Sequence, residues 1–144
     1  MSPPVFVVDT NVVAAGLVTA PAGRVSPVTA VLDAMLAGSI VYLMAHDLLY
    51  EYRCVLLRPK LAGLHGLQPA QLDRLLEDLA ANGAWREPES ASAAPDPGDN
   101  HLWALLAAHS GSVLITGDRL LLASPPAGTT VISPRTWFDR HASA

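Results

Sequence analysis

The chain is poor in cysteine and has no long apolar runs. Its one cysteine, Cys54, can form no internal disulfide, so a reducing compartment is expected. Cys54 stands among apolar residues. It is expected to be a small, buried residue that packs in the core, and not a reactive thiol. No apolar run is long enough to span a membrane, and no basic and apolar leader opens the chain. These features favour a cytoplasmic protein.

Positive charge is also scarce. Lysine and arginine number 9 against 13 acidic residues, and the formal net charge is -4. The chain therefore lacks a global basic field, and any nucleic-acid enzyme built on it needs bound metal or a local basic patch. Apolar residues make up 51% and charged residues 15%. That composition argues against disorder and suits one domain, residues 1–144, around a single core.

Short apolar strands alternate with amphipathic helices. Strands are predicted over 5–8, 40–44, 113–115 and 131–132 and near Trp85. Helices are predicted over 11–18, 27–37, 46–57 and 69–82, from residue 98 or 99 to 109, and after Ser133 and Pro134. Residues 89–97 are predicted to form a loop. This alternation predicts an α/β fold with a mostly parallel central sheet flanked by helices.

Two aspartates follow predicted strands. Asp9 comes directly after the first strand, and Asp118 comes shortly after the fourth. Ligands of open α/β sheets bind beyond the carboxyl ends of the strands, so we expect both carboxylates in one crevice. The neighbouring Thr10, Asn11 and Thr116 can hold a carboxylate or a metal-bound water. Taken alone, each aspartate is also explained as a turn residue.

Two further acids complete the predicted site. Asp99 lies near the first turn of a helix, where free backbone N–H groups favour the ionised form. Asp96 is an additional candidate that ranks below it. Glu51 lies beside the apolar face of its helix, where a charge is costly without a cation. Singly, Asp99 is also explained as an N-cap, and Glu51 as the partner of a nearby arginine.

Crowded carboxylates predict a site for a hard divalent cation. Carboxylates held close together raise one another's pKa, and a cation relieves their repulsion. Mg²⁺ and Mn²⁺ prefer oxygen ligands, and Mg²⁺ retains waters, one of which can attack a phosphate. The residues therefore indicate phosphodiester hydrolysis. Asp9, Asp99 and Asp118 are expected to hold the metal, and Glu51 to hold a second ion or orient water.

Four segments resemble, in order, the conserved blocks of PIN domains. The segments are 7–12 with Asp9, 48–60 with Glu51, 96–102 with Asp99 and 115–121 with Asp118. Residues 131–138 also fit the end of such a domain. The resemblance spans residues 5–138 and is to the VapC-like toxins of toxin–antitoxin systems.

The resemblance implies a PIN-like three-layer sandwich with a central, mostly parallel sheet. It implies an endoribonuclease dependent on Mg²⁺ or Mn²⁺, the toxin of a type II pair, with a cognate antitoxin and frequent homodimers. The acids implied are Asp9, Glu51, Asp99 and Asp118, supported by Asn11 and Thr116. One departure stands before the Glu51 helix, where Ala45 and His46 replace the usual Ser-Pro and make Asp47 the expected cap.

Basic residues near the acids are candidates for binding the RNA backbone. They are Arg53, Arg58, Lys60 and Arg119. Pairing with acids or plain solvation explains them equally well.

The histidines lack zinc-site spacing, and His101 is expected to point away from Asp99 in a surface or packing role. The three tryptophans are expected in the core.

Two other functions fit parts of the pattern. A phosphatase of the haloacid-dehalogenase type also begins with an aspartate after a strand. It needs a second aspartate where this chain has Asn11, and a later lysine, whereas the only lysine is Lys60. A PIN scaffold that acts only through protein contacts is the other alternative, and the intact acids argue against it. A dinucleotide site is disfavoured because no Gly-x-Gly-x-x-Gly follows the first strand.

Overall fold

The computed structural model of the chain describes residues 3–88 and 100–142. Within these described residues, five strands all run parallel and form one sheet in the order β3-β2-β1-β4-β5. The strands are β1 (Val5–Val8), β2 (Val41–Met44), β3 (Ala84–Trp85), β4 (Val113–Ile115) and β5 (Thr130–Ile132).

Eight α-helices in the described part flank this sheet. They are α1 (Thr10–Thr19), α2 (Pro27–Ala37), α3 (His46–Leu56), α4 (Pro59–His65), α5 (Pro69–Asn82), α6 (Asn100–Ala107), α7 (Arg119–Ala123) and α8 (Pro134–Trp137). The predicted three-layer α/β sandwich with a parallel sheet is confirmed. Among the described helices, none has the length and hydropathy needed to cross a bilayer.

Side-chain capping and backbone geometry define both ends of α2. Ser26 caps α2 by accepting from the backbone N–H of Thr29, and the Thr29 hydroxyl accepts in return from the Ser26 N–H. Pro27 occupies the first turn, where its missing N–H costs nothing. Gly38 ends the same helix in the left-handed conformation, with φ 69°.

Several local expectations are wrong. Asp47 lies in the first turn of α3, but the N-cap is Ala45, and no side chain caps the helix. Cys54 is exposed rather than buried. Trp85 is 39% exposed, whereas the other two tryptophans are buried as expected. The short helices α4 and α7 were not expected, because five to seven residues carry little periodicity.

The sheet order places the topological switch point between β1 and β4. From β1 the chain first winds outward through β2 and β3, and then returns to the other side of β1 for β4 and β5. The backbone N–H of Asp9 donates to Ile115 (2.9 Å), and that of Thr116 donates to Ile132 (3.0 Å). Asp9 and Thr116 therefore both lie one residue beyond their strands, at the switch point where α/β proteins bind ligands.

Close packing of α1 on α2 leaves no room for a side chain at Gly16. A methyl group there would lie 2.8 Å from the Val28 carbonyl oxygen and 3.1 Å from the Leu32 Cβ. We predict that Gly16→Ala lowers the free energy of unfolding by about 1 kcal/mol, because overpacking outweighs the gain in helix propensity.

Gly63 in α4 is the matched control, since nothing lies within 4 Å of a methyl group added there. Gly63→Ala should raise the free energy of unfolding by about 0.5–1 kcal/mol through helix propensity alone. Urea denaturation of both variants measures the two changes. Equal stabilisation by both substitutions would contradict the tight α1–α2 contact.

Candidate active site

Asp9 is the centre of the site and is only 6% exposed. Its Oδ1 accepts from the backbone N–H of Thr10 (2.7 Å). Its Oδ2 accepts from the Thr116 hydroxyl (2.8 Å) and the Asn11 amide (3.2 Å). Three neutral donors thus hold one carboxylate at the carboxyl ends of β1 and β4.

A second set of bonds joins the β4 end to the start of α1. The Asn11 Nδ2 also donates to the Thr116 Oγ1 (3.2 Å), and the Asn11 Oδ1 accepts from the Gly117 N–H (3.0 Å). The Thr116 Oγ1 further accepts from the Asp118 N–H (3.0 Å). Asn11 and Thr116 therefore act as a clamp that fixes Asp9 relative to the segment carrying Asp118.

Glu51 reaches the same place from α3. Its Oε2 accepts from the Thr10 hydroxyl and is 3.0 Å from the His101 Nε2. Since the Thr10 N–H binds Asp9 and the Thr10 hydroxyl binds Glu51, a single residue bridges two acids that are far apart in sequence. The structure therefore brings Asp9 and Glu51 together, with His101 beside Glu51.

Tyr52 ties α3 to the strand that carries Asp9. Its side chain is fully buried, and its hydroxyl donates to the Val8 carbonyl. Burial first, and then the nearby charge of Asp9, raises the pKa of Tyr52 well above its ordinary value. The phenol thus keeps its proton and remains a donor. This bond sets the position of the neighbouring Glu51 relative to Asp9.

Burial raises the pKa of Asp9, and the charge of Glu51 raises it further. The hydrogen bonds from Thr116 and Thr10, and the nearby His101, lower it but do not offset the loss of hydration. The folded protein thus holds a carboxylate whose charge its surroundings do not fully compensate. Such perturbed groups in a crevice are typical of functional sites.

Asp118 lies at the same edge of the sheet, and one of its carboxylate oxygens caps the helix that follows it. Its Oδ1 accepts from the N–H groups of Leu120 (2.9 Å) and Leu121 (3.4 Å), capping α7.

Asp96 and Asp99 lie outside the described residues, so their site roles stay predictions. Within 3–88 and 100–142, no three acidic, histidine or cysteine side chains form a ready-made metal site.

The predicted basic residues are exposed, and none of the hydrogen bonds or ion pairs that they form in the described part of the chain is with Asp9 or Glu51. Arg53 donates its Nε to Asp73 on α5 (2.9 Å), and both side chains are nearly half exposed. Arg58, Lys60 and Arg119 are exposed. Among them, Arg119 directly follows Asp118 and starts α7. An exposed pair such as that of Arg53 contributes little to stability.

His101 and Tyr52 are the residues that sequence reasoning missed. The predicted surface or packing role of His101 does not include its contact with Glu51. That prediction used only the spacing of His101 from Asp99, and this spacing carries no information about contacts with α3. Tyr52 had a usable signal, since it directly follows Glu51 in an amphipathic helix, and a buried phenol needs a hydrogen-bond partner.

Removing the charge of Asp9 should stabilise the metal-free protein. Folding raises the pKa of Asp9. The Asp9 carboxyl therefore contributes most to the stability of the folded state below its unfolded pKa, and this contribution is lost as pH rises through its folded pKa. In EDTA at pH 7.5 we expect Asp9→Asn to raise the free energy of unfolding by about 1 kcal/mol. The difference from wild type should shrink as pH falls towards 4.

Denaturation curves between pH 4 and 8 measure this difference. Asp33, exposed on α2, provides the control Asp33→Asn, which should show no comparable trend. The same flat dependence on pH for Asp9→Asn and Asp33→Asn would mean that the donors around Asp9 fully compensate its burial.

Comparison with known proteins identifies the family of the chain. The sequence model of the PIN domain matches residues 5–120, which include Asp9, Glu51 and Asp118. No curated protein and no solved structure matches the chain. PIN domains are generally nucleases and usually bind divalent metals, so the phosphatase alternative has no support. The match covers most of the sequence, and the chain belongs to the PIN-domain family.

Proposed function

We propose that this PIN domain is an endoribonuclease that hydrolyses RNA phosphodiester bonds and depends on Mg²⁺ or Mn²⁺. The observation that carries the proposal is the pairing of Asp9 and Glu51 through Thr10 at the switch point of the sheet. Two neighbouring carboxylates repel each other, and a divalent cation is the partner that relieves such repulsion.

The donor set suits a hard cation. Asp9 and Glu51 offer carboxylate oxygens, and Thr10, Asn11 and Thr116 hold these acids in place. Asp9 and Glu51 would hold the ion, together with the predicted ligands Asp99 and Asp118 and the lower-ranked Asp96. Once bound, it would supply positive charge to the phosphate and lower the pKa of a water ligand.

The surrounding residues have separate tasks. Thr116 and Asn11 fix the Asp9 carboxylate, and Thr10 fixes Glu51, so neither acid needs to reorganise when substrate arrives. Exposed Arg119 next to Asp118, with Arg58 and Lys60 beyond the end of α3, can contact RNA phosphates. With a net charge of -4, such local contacts should make RNA binding weak and sensitive to salt.

Nuclease activity should depend on both paired acids. Asp9→Asn and Glu51→Gln should each lower cleavage of a mixed RNA pool about 100-fold or more, because losing a metal ligand removes several kcal/mol of charge stabilisation. EDTA should abolish cleavage, and Mg²⁺ or Mn²⁺ should restore it. Asp33→Asn, which changes an exposed acid on α2, should cleave like the wild type.

Equal cleavage by wild type, Asp9→Asn and Glu51→Gln would reject the assignments. Wild-type protein that neither cleaves RNA nor binds Mg²⁺ in calorimetry would instead favour the alternative of a PIN scaffold acting through protein contacts.

We also propose that the protein is the toxin of a type II toxin–antitoxin pair, with a cognate antitoxin and a homodimeric state. Its support is the similarity of the blocks around Asp9, Glu51, Asp99 and Asp118 to those of VapC-like toxins. The cellular activity would be RNA cleavage that stops growth.

The toxin role predicts growth arrest on induced expression in a bacterial host. Arrest should disappear with Asp9→Asn and persist with Asp33→Asn, because only the first substitution alters the acidic site. Co-expression of a small DNA-binding protein encoded next to the gene should restore growth. Normal growth with active wild-type nuclease would contradict the toxin role and leave the ribonuclease assignment standing.

A further inference from the structure

His101 contacts an acid of the site from a different helix. It lies on α6, whereas Glu51 lies on α3, and the His101 Nε2 is 3.0 Å from the Glu51 Oε2. The side chains are 16% and 33% exposed, respectively. An ionised carboxylate only accepts hydrogen bonds, so the ring Nε2 carries the hydrogen and donates it.

The two donors to Glu51 share one oxygen. The Thr10 hydroxyl and the His101 ring both bind Oε2, one from α1 and one from α6. Among the described residues, no donor binds Oε1. Two donors on one oxygen fix the rotation of the carboxylate and leave Oε1 for another partner.

Packing alone does not account for this contact. The residues of α6 that enter the core are Leu102, Trp103 and Leu105. His101 lies beside this buried face and is half-buried. His101 is therefore not among the core residues of α6, and within the described residues the polar contact of its ring is the one with Glu51.

We propose that His101 is a positioning residue, which holds the Glu51 carboxylate so that Oε1 stays available to the divalent cation. The inference rests on the proposed metal-dependent activity and deepens it. His101 acts through Glu51 and touches neither the cation nor the RNA. Partners of this kind, which orient a metal ligand, typically change metal affinity about 10- to 100-fold when removed.

Two substitutions separate the donor from the bulk of the ring. His101→Leu removes the hydrogen bond, whereas His101→Gln places an amide N–H near the position of Nε2. His109, half-buried just beyond the end of α6, gives the matched control His109→Leu. The measurement is the dissociation constant of Mn²⁺ by calorimetry without RNA, together with the melting temperature of each metal-free variant.

We expect His101→Leu to weaken Mn²⁺ binding at least about tenfold. His101→Gln should stay within about threefold of wild type, and His109→Leu should bind like wild type, with similar metal-free melting temperatures throughout. In RNA cleavage, the Mn²⁺ concentration needed for half-maximal rate should rise with the dissociation constant. The rate at saturating Mn²⁺ should fall much less.

The proposal is overturned if wild type binds Mn²⁺ and His101→Leu binds it equally well. It is also overturned if His101→Gln loses affinity as much as His101→Leu, since the donor would then not be what matters. Absence of both Mn²⁺ binding and RNA cleavage in wild type would instead reject the proposed function itself, and the inference with it.

Discussion

The burial of one negative charge governs the architecture around the site. Asp9 follows a strand that is buried on both faces, and it is itself buried at the switch point between β1 and β4. Every described donor on it is neutral. These hydrogen bonds orient the charge without neutralising it. The pKa of Asp9 is raised because they do not fully offset the loss of hydration on burial.

A second acid, held from two helices, adds to this imbalance: the charge of Glu51 raises the pKa of Asp9 further. Tyr52 fixes α3 on β1 through the Val8 carbonyl, and this places Glu51, a second acid, against Thr10. His101 from α6 then holds the same carboxylate. A fold selected only for stability would put an arginine or an apolar residue here. Gathering like charges at a ligand-binding edge gives up stability in return for the ability to bind a cation.

Much of the fold could be predicted from the sequence because its signals are local. Continuous apolar runs marked the strands, and Ser26, Pro27 and Gly38 marked helix ends. The acids after strands pointed to one sheet edge, where Asp9 lies. What could not be predicted depends on contacts between distant segments: the exposure of Trp85 and the contact of His101 with Glu51. Neither residue carries a periodic or spacing signal for its environment.

The central claim is that a divalent cation neutralises the charge gathered around Asp9. Its most direct test is the free energy of unfolding as a function of Mn²⁺ concentration, for wild type and Asp9→Asn. A cation that binds the folded state should stabilise wild type progressively, by about 2.7 kcal/mol at one hundred times its dissociation constant, and should leave Asp9→Asn nearly unchanged. Identical curves for the two proteins, whether flat or rising, would contradict the account.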